Sequence, residues 1–216
     1  MSLRFRLLIL GFLGLIAVAA YTFPVWAPYV IEVQVDESFP IEGLAADLQP
    51  AFDALPFDQR DAYLEMYAQN PAMTLDMVTA ALSPGTEVDP TAGALPAMAD
   101  QATVLNRGEF VAVDVIHAAS GSAAIYRMPD DTVLVRLEDF QVINGPDLHV
   151  VLTRSKDPRT AEEVGGDYLD LGLLQGDSGS QNYNVPPGID VTQYNAVVIY
   201  SVRYATVFSV ANISGA

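Results

Sequence analysis

Short runs rich in β-branched and aromatic residues, several alternating between apolar and polar positions, fill the second half of the chain. Turn residues such as Ser-Gly, Pro-Asp-Asp and Asn-Gly-Pro-Asp separate them, and no long helical pattern intervenes. We therefore expect a mainly β fold, an antiparallel β-sandwich or barrel. The predicted strands are GEFVAVDVI (108–116), GSAAIYRM (121–128), TVLVRLEDF (132–140), LHVVLTR (148–154), YLDLGLL (168–174) and SQNYNV (180–185).

The last apolar run, AVVIYSVRYATVFSVANI (196–213), is too long for one ordinary strand. Its length predicts two adjacent strands joined by a bend or tight connection near residues 203–205. Ser201 then lies near the end of the first strand. From spacing alone, Ser201 is interpreted as a half-buried hydroxyl with a hydrogen-bond partner.

Between about residues 40 and 83 the apolar spacing is that of helices. The segment FDQRDAYLEMYAQ (57–69) has an apolar stripe on one face. In the segment that follows, Asn70 is expected to cap a second helix, Pro71 to occupy its first position, and Pro84 to end it. Two short helices are therefore predicted before the strands begin.

The N-terminus begins with a positive flank, Arg4 and Arg6, and continues with an uncharged apolar run over residues 7–31. That run is long enough to span a hydrocarbon core of about 30 Å, and its far end carries aromatic residues suited to the interface. The flank favours a cytoplasmic N-terminus. An alternative is a cleaved signal peptide, because residues 17–19 (Ala-Val-Ala) fit the small-residue cleavage pattern.

These segments predict four regions along the chain. Residues 1–31 form a signal anchor or transmembrane helix, residues 32–83 a helical stalk, residues 84–102 a Pro-, Ala- and Gly-rich linker, and residues 103–216 the β domain. We expect a single-pass protein of the cell membrane whose C-terminal domain is extracytoplasmic.

Composition narrows the range of partners. Asp and Glu number 27 against 10 Lys and Arg, which gives a formal net charge of −17. Such an acidic chain is not expected to bind nucleic acid. The chain contains no cysteine, so no disulfide stabilises its extracytoplasmic part.

Residues 103–213 resemble the DM-thirteen domain, the electron-transfer-type domain of Skeletor-like animal proteins that also occurs in bacterial membrane-anchored proteins. The pieces that carry the resemblance are Gly-Glu-Phe (108–110), Leu-Glu-Asp-Phe (137–140), Asn-Gly-Pro-Asp-Leu (144–148) and Gln-Asn-Tyr (181–183). The resemblance implies an all-β domain and a redox or electron-transfer role. It also implies a nearly invariant cysteine in the last strand pair, within a pattern like VVIWC.

Here the matching piece is Val-Val-Ile-Tyr-Ser (197–201), so Ser201 occupies the position of the family's cysteine. A thiolate can be oxidised, form a disulfide or bind a soft metal, whereas a serine hydroxyl does none of these at neutral pH. This chain therefore cannot use a thiol mechanism unless a partner supplies the sulfur. Arg203, two residues further on, is expected to share the face of Ser201.

Other chemistry has little support in the sequence. A copper or zinc site would need His117 and His149 to converge with Met128 or a carboxylate. The family resemblance implies polar or aromatic residues at these places, so structural roles are expected for both histidines. No haem ligand is identified, and no nucleophile stands beside a base, so enzymatic turnover is not expected. Four acids have oxygen ligands suited to calcium but lack calcium-loop spacing, which favours turn capping: Asp139, Asp147, Asp167 and Asp170.

Two functional hypotheses follow. In the first, the chain is a redox or electron-transfer module that works with a bound cofactor of unknown identity or with a redox partner at the cell surface. In the second, it is a non-redox binding or scaffolding module that keeps the fold without the thiol. The residues expected to contact a ligand or partner are His117, Asp147, His149 and Arg203.

Overall fold

The computed structural model describes residues 5, 20–23, 41–95 and 101–215. The chain divides into two compact units, Met1–Phe39 and Pro40–Ala216, and the second contains the elements described below. Over the described ranges, no helix is both long and apolar enough to cross a membrane. The predicted transmembrane helix over residues 1–31 lies outside those ranges apart from residues 5 and 20–23, so the anchor stays a prediction.

Three helices precede the strands: α1 (Gln49–Asp53), α2 (Phe57–Gln69) and α3 (Pro71–Leu82). The Asn70 side chain accepts a hydrogen bond of 3.2 Å from the Met73 backbone N–H, and Pro71 opens α3. Both features confirm the predicted cap. Helix α3 ends at Leu82, two residues before Pro84, because a proline disfavours helical geometry in the residue that precedes it.

Within residues 101–215, nine antiparallel strands form one sheet in the order β5-β4-β7-β8-β1-β2-β3-β6, with β9 paired to β1. The end strands β5 and β6 contact each other, so the sheet is a nearly closed barrel, which confirms the predicted fold class. The strands are β1 (Thr103–Ala112), β2 (Ala119–Arg127), β3 (Val133–Val142), β4 (Leu148–Thr153), β5 (Leu169–Leu173), β6 (Gln181–Asn184), β7 (Ala196–Ser201), β8 (Thr206–Asn212) and β9 (Ser214–Gly215).

The strand predicted over residues 108–116 ends four residues earlier than its pattern indicated. It stops at Ala112 because Asp114 turns the chain: its Oδ1 accepts hydrogen bonds from the backbone N–H groups of Ile116 and His117, at 2.8 and 2.7 Å. A four-residue helix, α4 (Ala161–Val164), was not predicted. Thr160 and Glu163 form a capping box at its start.

The closing run folds as two strands joined by a turn over residues 202–205, as predicted. Ala205 has φ +49° in that turn. The register shifts between Ile199, which faces Ser209, and Tyr200, which faces Val207. The shift adds Phe208 as an extra residue on β8, and Phe208 joins the main core while Val207 packs in a second apolar cluster.

The helices and the barrel share one core. Phe52, Tyr63 and Met77 belong to the same buried cluster as Leu148 and Ile199 of the sheet. The described part of the predicted linker also bonds to the barrel. Arg136 donates from Nη1 to the Gly93 carbonyl at 2.8 Å, and the Thr86 N–H donates to Asp177 at 2.8 Å. The division into a helical stalk, a linker and a β domain that folds without them stays a prediction.

Candidate functional site

The turn between β3 and β4, residues 144–147, forms the centre of the candidate site. The Asn144 side chain accepts the Gly145 N–H at 2.8 Å, which closes the turn. A Cβ on Gly145 would lie 2.3 Å from Cζ of Phe208, so no larger residue fits against that ring. Asp147 ends the turn with φ +55°, a conformation that Asp tolerates better than most residues. The turn is therefore packed directly on the β8 bulge.

Ser201 is fully buried beside this turn. Its hydroxyl donates to the Pro146 carbonyl at 2.7 Å, and its backbone pairs with Leu148 of β4. The next residue, Val202, donates its N–H to the Asp147 carbonyl at 3.2 Å. Ser201 thus joins the end of β7 to the turn and carries no charge at neutral pH. The hydroxyl expected to be half-buried is completely enclosed, and it has the partner that the spacing predicted.

His117 also contacts Phe208. The imidazole is buried and meets the Phe208 ring edge to face, with centroids 4.7 Å apart. Its Nδ1 is 2.8 Å from Oδ2 of Asp114. Burial raises the pKa of Asp114, but the His117 ring and the N–H groups of Ile116 and His117 outweigh that effect, so the pKa is lowered overall. These contacts give His117 a packing and turn-holding position.

His149 lies on β4 between two carboxylates. Its Nδ1 is 2.9 Å from both carboxylate oxygens of Asp170, and its Nε2 is 3.4 Å from Oδ1 of Asp147. Asp147 therefore connects the end of β7 with His149. Its backbone carbonyl accepts the Val202 N–H, and its side chain faces the His149 ring. Across residues 41–95 and 101–215, no group of three or more His, Asp or Glu side chains is arranged to hold a metal ion.

Arg203 is exposed and contacts helix α3. Its Nη2 is 3.2 Å from Oδ2 of Asp76, and its guanidinium lies 5.3 Å from the centre of the Tyr204 ring. Tyr204 also donates its hydroxyl to Asp76, and that hydrogen bond raises the pKa of Tyr204. Arg203 was expected to share the face of Ser201. Its contacts instead join the turn over residues 202–205 to the helices.

Sequence reasoning missed a cavity of about 350 Å³ between the helices and the end of β3. Tyr63 of α2 lines it, as do Gln141 and Asn144, and apolar side chains such as Leu82 and Val142 complete its wall. Burial and the nearby charge of Asp114 raise the pKa of Tyr63. No local motif marks this cavity, because its residues come from segments far apart in the chain.

Comparison with known proteins supports the family resemblance. The family model described as Electron transfer DM13 matches residues 109–213. No curated protein matches the chain significantly.

Among solved structures, a mutant of Candida albicans superoxide dismutase 5 matches with a TM-score of 0.40 at 12% identity, over 52% of this chain and 90% of that one. The copper(II) form of the same protein matches with a TM-score of 0.37 at 13% identity, over 53% of this chain and 94% of that one. A likeness at this level gives no information on function.

Proposed function

Residues 109–213 are a DM-thirteen domain, and we propose that this protein acts in a redox or electron-transfer process at the outer face of a cell membrane without a thiol of its own. Membership of a family described as electron transfer supports a redox-related role. The chain contains no cysteine, so the thiol that the family resemblance implies is missing. The redox group then belongs to a partner protein or to a bound molecule.

The family match carries the redox role, and Ser201 supports the assignment of the redox group to a partner or a bound molecule. The Ser201 hydroxyl is fully buried and donates to the Pro146 carbonyl at 2.7 Å. We take Ser201 to stand at the family's cysteine position, where a hydroxyl preserves the hydrogen bond to the turn but not the redox chemistry of sulfur. The domain would therefore keep its fold and its partner surface while electrons pass through another group.

The N-terminal sequence supports the membrane location. Arg4 and Arg6 precede an uncharged run over residues 7–31, which suits a single span with the remaining chain outside the cytoplasm. Protease added to spheroplasts should digest the domain and leave the N-terminus protected. A soluble mature chain that starts at Ala20 would instead identify the segment as a cleaved signal.

A non-redox binding or scaffolding module is the second candidate. It is favoured by the same serine, because a satisfied and enclosed hydroxyl needs no cofactor to explain it. It is also consistent with the acidic composition, which suits a soluble surface that meets a protein partner.

Isolation of the full-length protein with its partners from the native membrane separates the two candidates. The redox proposal predicts a visible absorbance band or a stoichiometric metal in the isolated complex, and a change of that band on chemical reduction. A complex that contains partners but neither absorbance nor metal would overturn the redox proposal and favour the binding module.

A further inference from the structure

We infer that the cavity lined by Tyr63, Gln141 and Asn144 binds a neutral molecule of the quinone class. The cavity lies between α2, the end of α3 and the end of β3, and Asn144 connects it to the turn that holds Ser201. The choice of a redox-active ligand rests on the proposed function, whereas the shape and polarity of the ligand follow from the side chains that line the cavity.

Tyr63 is the first observation. Its side chain is 3% exposed and lines the cavity, yet its hydroxyl has no hydrogen-bond partner among the described residues. The hydroxyl is not one of the enclosed side-chain atoms that lack a partner, so it opens into the cavity and is free to bond a ligand. Its raised pKa keeps it protonated, so it is a hydrogen-bond donor at neutral pH. A ligand with an acceptor oxygen would satisfy it.

The amide side chains around the cavity add further donors. Asn144 already uses its carbonyl oxygen to accept the Gly145 N–H, which leaves its NH₂ group for a ligand. The Gln141 side chain has no hydrogen bond to any described residue. The NH₂ group of Gln59, in contrast, already donates to the Val115 carbonyl at 3.1 Å. Tyr63 and Asn144 therefore offer donors to which a ligand carbonyl can bond.

Charge argues for a neutral ligand. No Lys or Arg is among the described residues that line the cavity, so an anion has no counter-charge there. The one acid in the lining, Asp177, has its Oδ2 occupied by the Thr86 N–H at 2.8 Å. The net charge of −17 further disfavours anions.

The size and the apolar walls of the cavity accommodate a ligand with a single ring. A volume of about 350 Å³ lies near the lower end of the roughly 300–1,000 Å³ found for small-molecule sites. Leu55, Leu82 and Ile143 supply apolar surface that suits the faces of a ring. A substituted benzoquinone meets each of these requirements, and the chain has no cysteine for it to alkylate.

Duroquinone, a fully substituted benzoquinone, is the probe. We expect saturable binding of one equivalent to the full-length protein in detergent, measured by equilibrium dialysis. Tyr63→Phe removes one hydrogen bond and should weaken binding about tenfold, since 1.4 kcal/mol corresponds to a factor of ten. Gln141→Glu is an exposed, isosteric change that places a carboxylate beside the ligand carbonyl, and it should also weaken binding.

Tyr67→Phe is the matched control. Tyr67 lies on the same helix, but its hydroxyl donates to the Glu42 carbonyl at 2.7 Å, away from the cavity lining. This variant should bind the quinone as the wild type does. Partitioning of the probe into detergent is common to all variants and cancels in the comparison.

Three results would overturn the inference: no saturable binding to the wild type, equal affinity of Tyr63→Phe and Tyr67→Phe, or competition by neutral sugars. These results would leave the redox proposal itself to the spectrum and metal content of the complex isolated from the membrane.

Discussion

Tyr204 donates its hydroxyl to Oδ2 of Asp76 at 2.5 Å, and this hydrogen bond joins the turn of the last hairpin to helix α3. The same carboxylate oxygen lies 3.2 Å from Nη2 of Arg203. One acid of the helical region thus holds two of the four residues of the turn that follows Ser201. The last hairpin is therefore bonded to a helix of the region predicted as a stalk.

Replacing Asp76 tests that link. Asp76→Asn removes the charge that faces Arg203 and weakens the acceptor for Tyr204, and we expect a loss of about 1 kcal/mol in the free energy of unfolding, because both groups are partly exposed. Urea unfolding followed by circular dichroism measures it. Glu65→Gln changes an exposed acid of α2 that has no hydrogen bond or ion pair within the described part of the chain, so it should leave the midpoint unchanged. Equal midpoints for the two variants would contradict the link.

Met77 tests whether the helices and the barrel unfold together. Met77 is 2% exposed and belongs to the core cluster that includes residues of the sheet. Met77→Ala should lower the free energy of unfolding by about 2–5 kcal/mol and shift helical and sheet signals together. A helical stalk that folds by itself would behave differently, since the helical signal alone would shift and the sheet transition would stay in place.

The strands were predictable because their signals are local. The closing run exceeded the ordinary strand length, so a turn near residues 203–205 followed, and the cap by Asn70 is encoded within four residues. The Phe208 bulge was not predictable, because a register shift depends on the partner strand. The alternation of the run placed Phe208 and Val210 on one face, whereas they pack in different clusters.

The candidate site depended on contacts that no spacing encodes. Tyr204 and Asp76 are 128 positions apart, and Arg136 reaches Gly93 across 43 positions. The pairing of Ser201 with Pro146 spans 55 positions, although both residues lay in pieces that the family resemblance had marked. Helix α4 was missed despite its Thr-x-x-Glu signal, because four residues are too few to show a helical period.

Alkaline pH should weaken the fold through Tyr183. Its hydroxyl donates to Oε1 of Gln181 at 2.7 Å and accepts the Gln175 N–H at 3.0 Å, and burial raises its pKa to about 12. An unfolded tyrosine titrates near pH 10. The contribution of protonated Tyr183 to the free energy of unfolding is therefore complete below pH 10 and is lost as the pH rises toward 12. The loss should be on the order of 2–3 kcal/mol in that window.

Tyr183→Phe isolates this contribution. Without the phenol, the free energy of unfolding should fall less steeply between pH 10 and pH 12. The slope against pH should correspond to about one proton fewer, as measured by urea unfolding across the range. At neutral pH the variant should lose only about 1 kcal/mol, because Gln181 still accepts the Gln175 N–H at 3.0 Å. An unchanged slope above pH 10 would assign the alkaline loss to other tyrosines.

Ser201→Cys tests whether position 201 is closed core or an open redox position. The side chain is fully buried against Pro146, so the folded variant should withhold its thiol from disulfide reagents until it is denatured. The larger sulfur and its weaker hydrogen bond should cost less than about 1.5 kcal/mol, because cysteine packs readily in buried strands.

Ser209→Cys is the matched buried control, since Ser209 is equally enclosed and donates to the Val111 carbonyl at 2.8 Å. Ser214→Cys, at an exposed position, should react at once. If the thiol at position 201 reacts in the folded protein while that at position 209 does not, the site opens to a ligand or partner, and thiol chemistry of the kind implied for the family would be within reach of a single substitution.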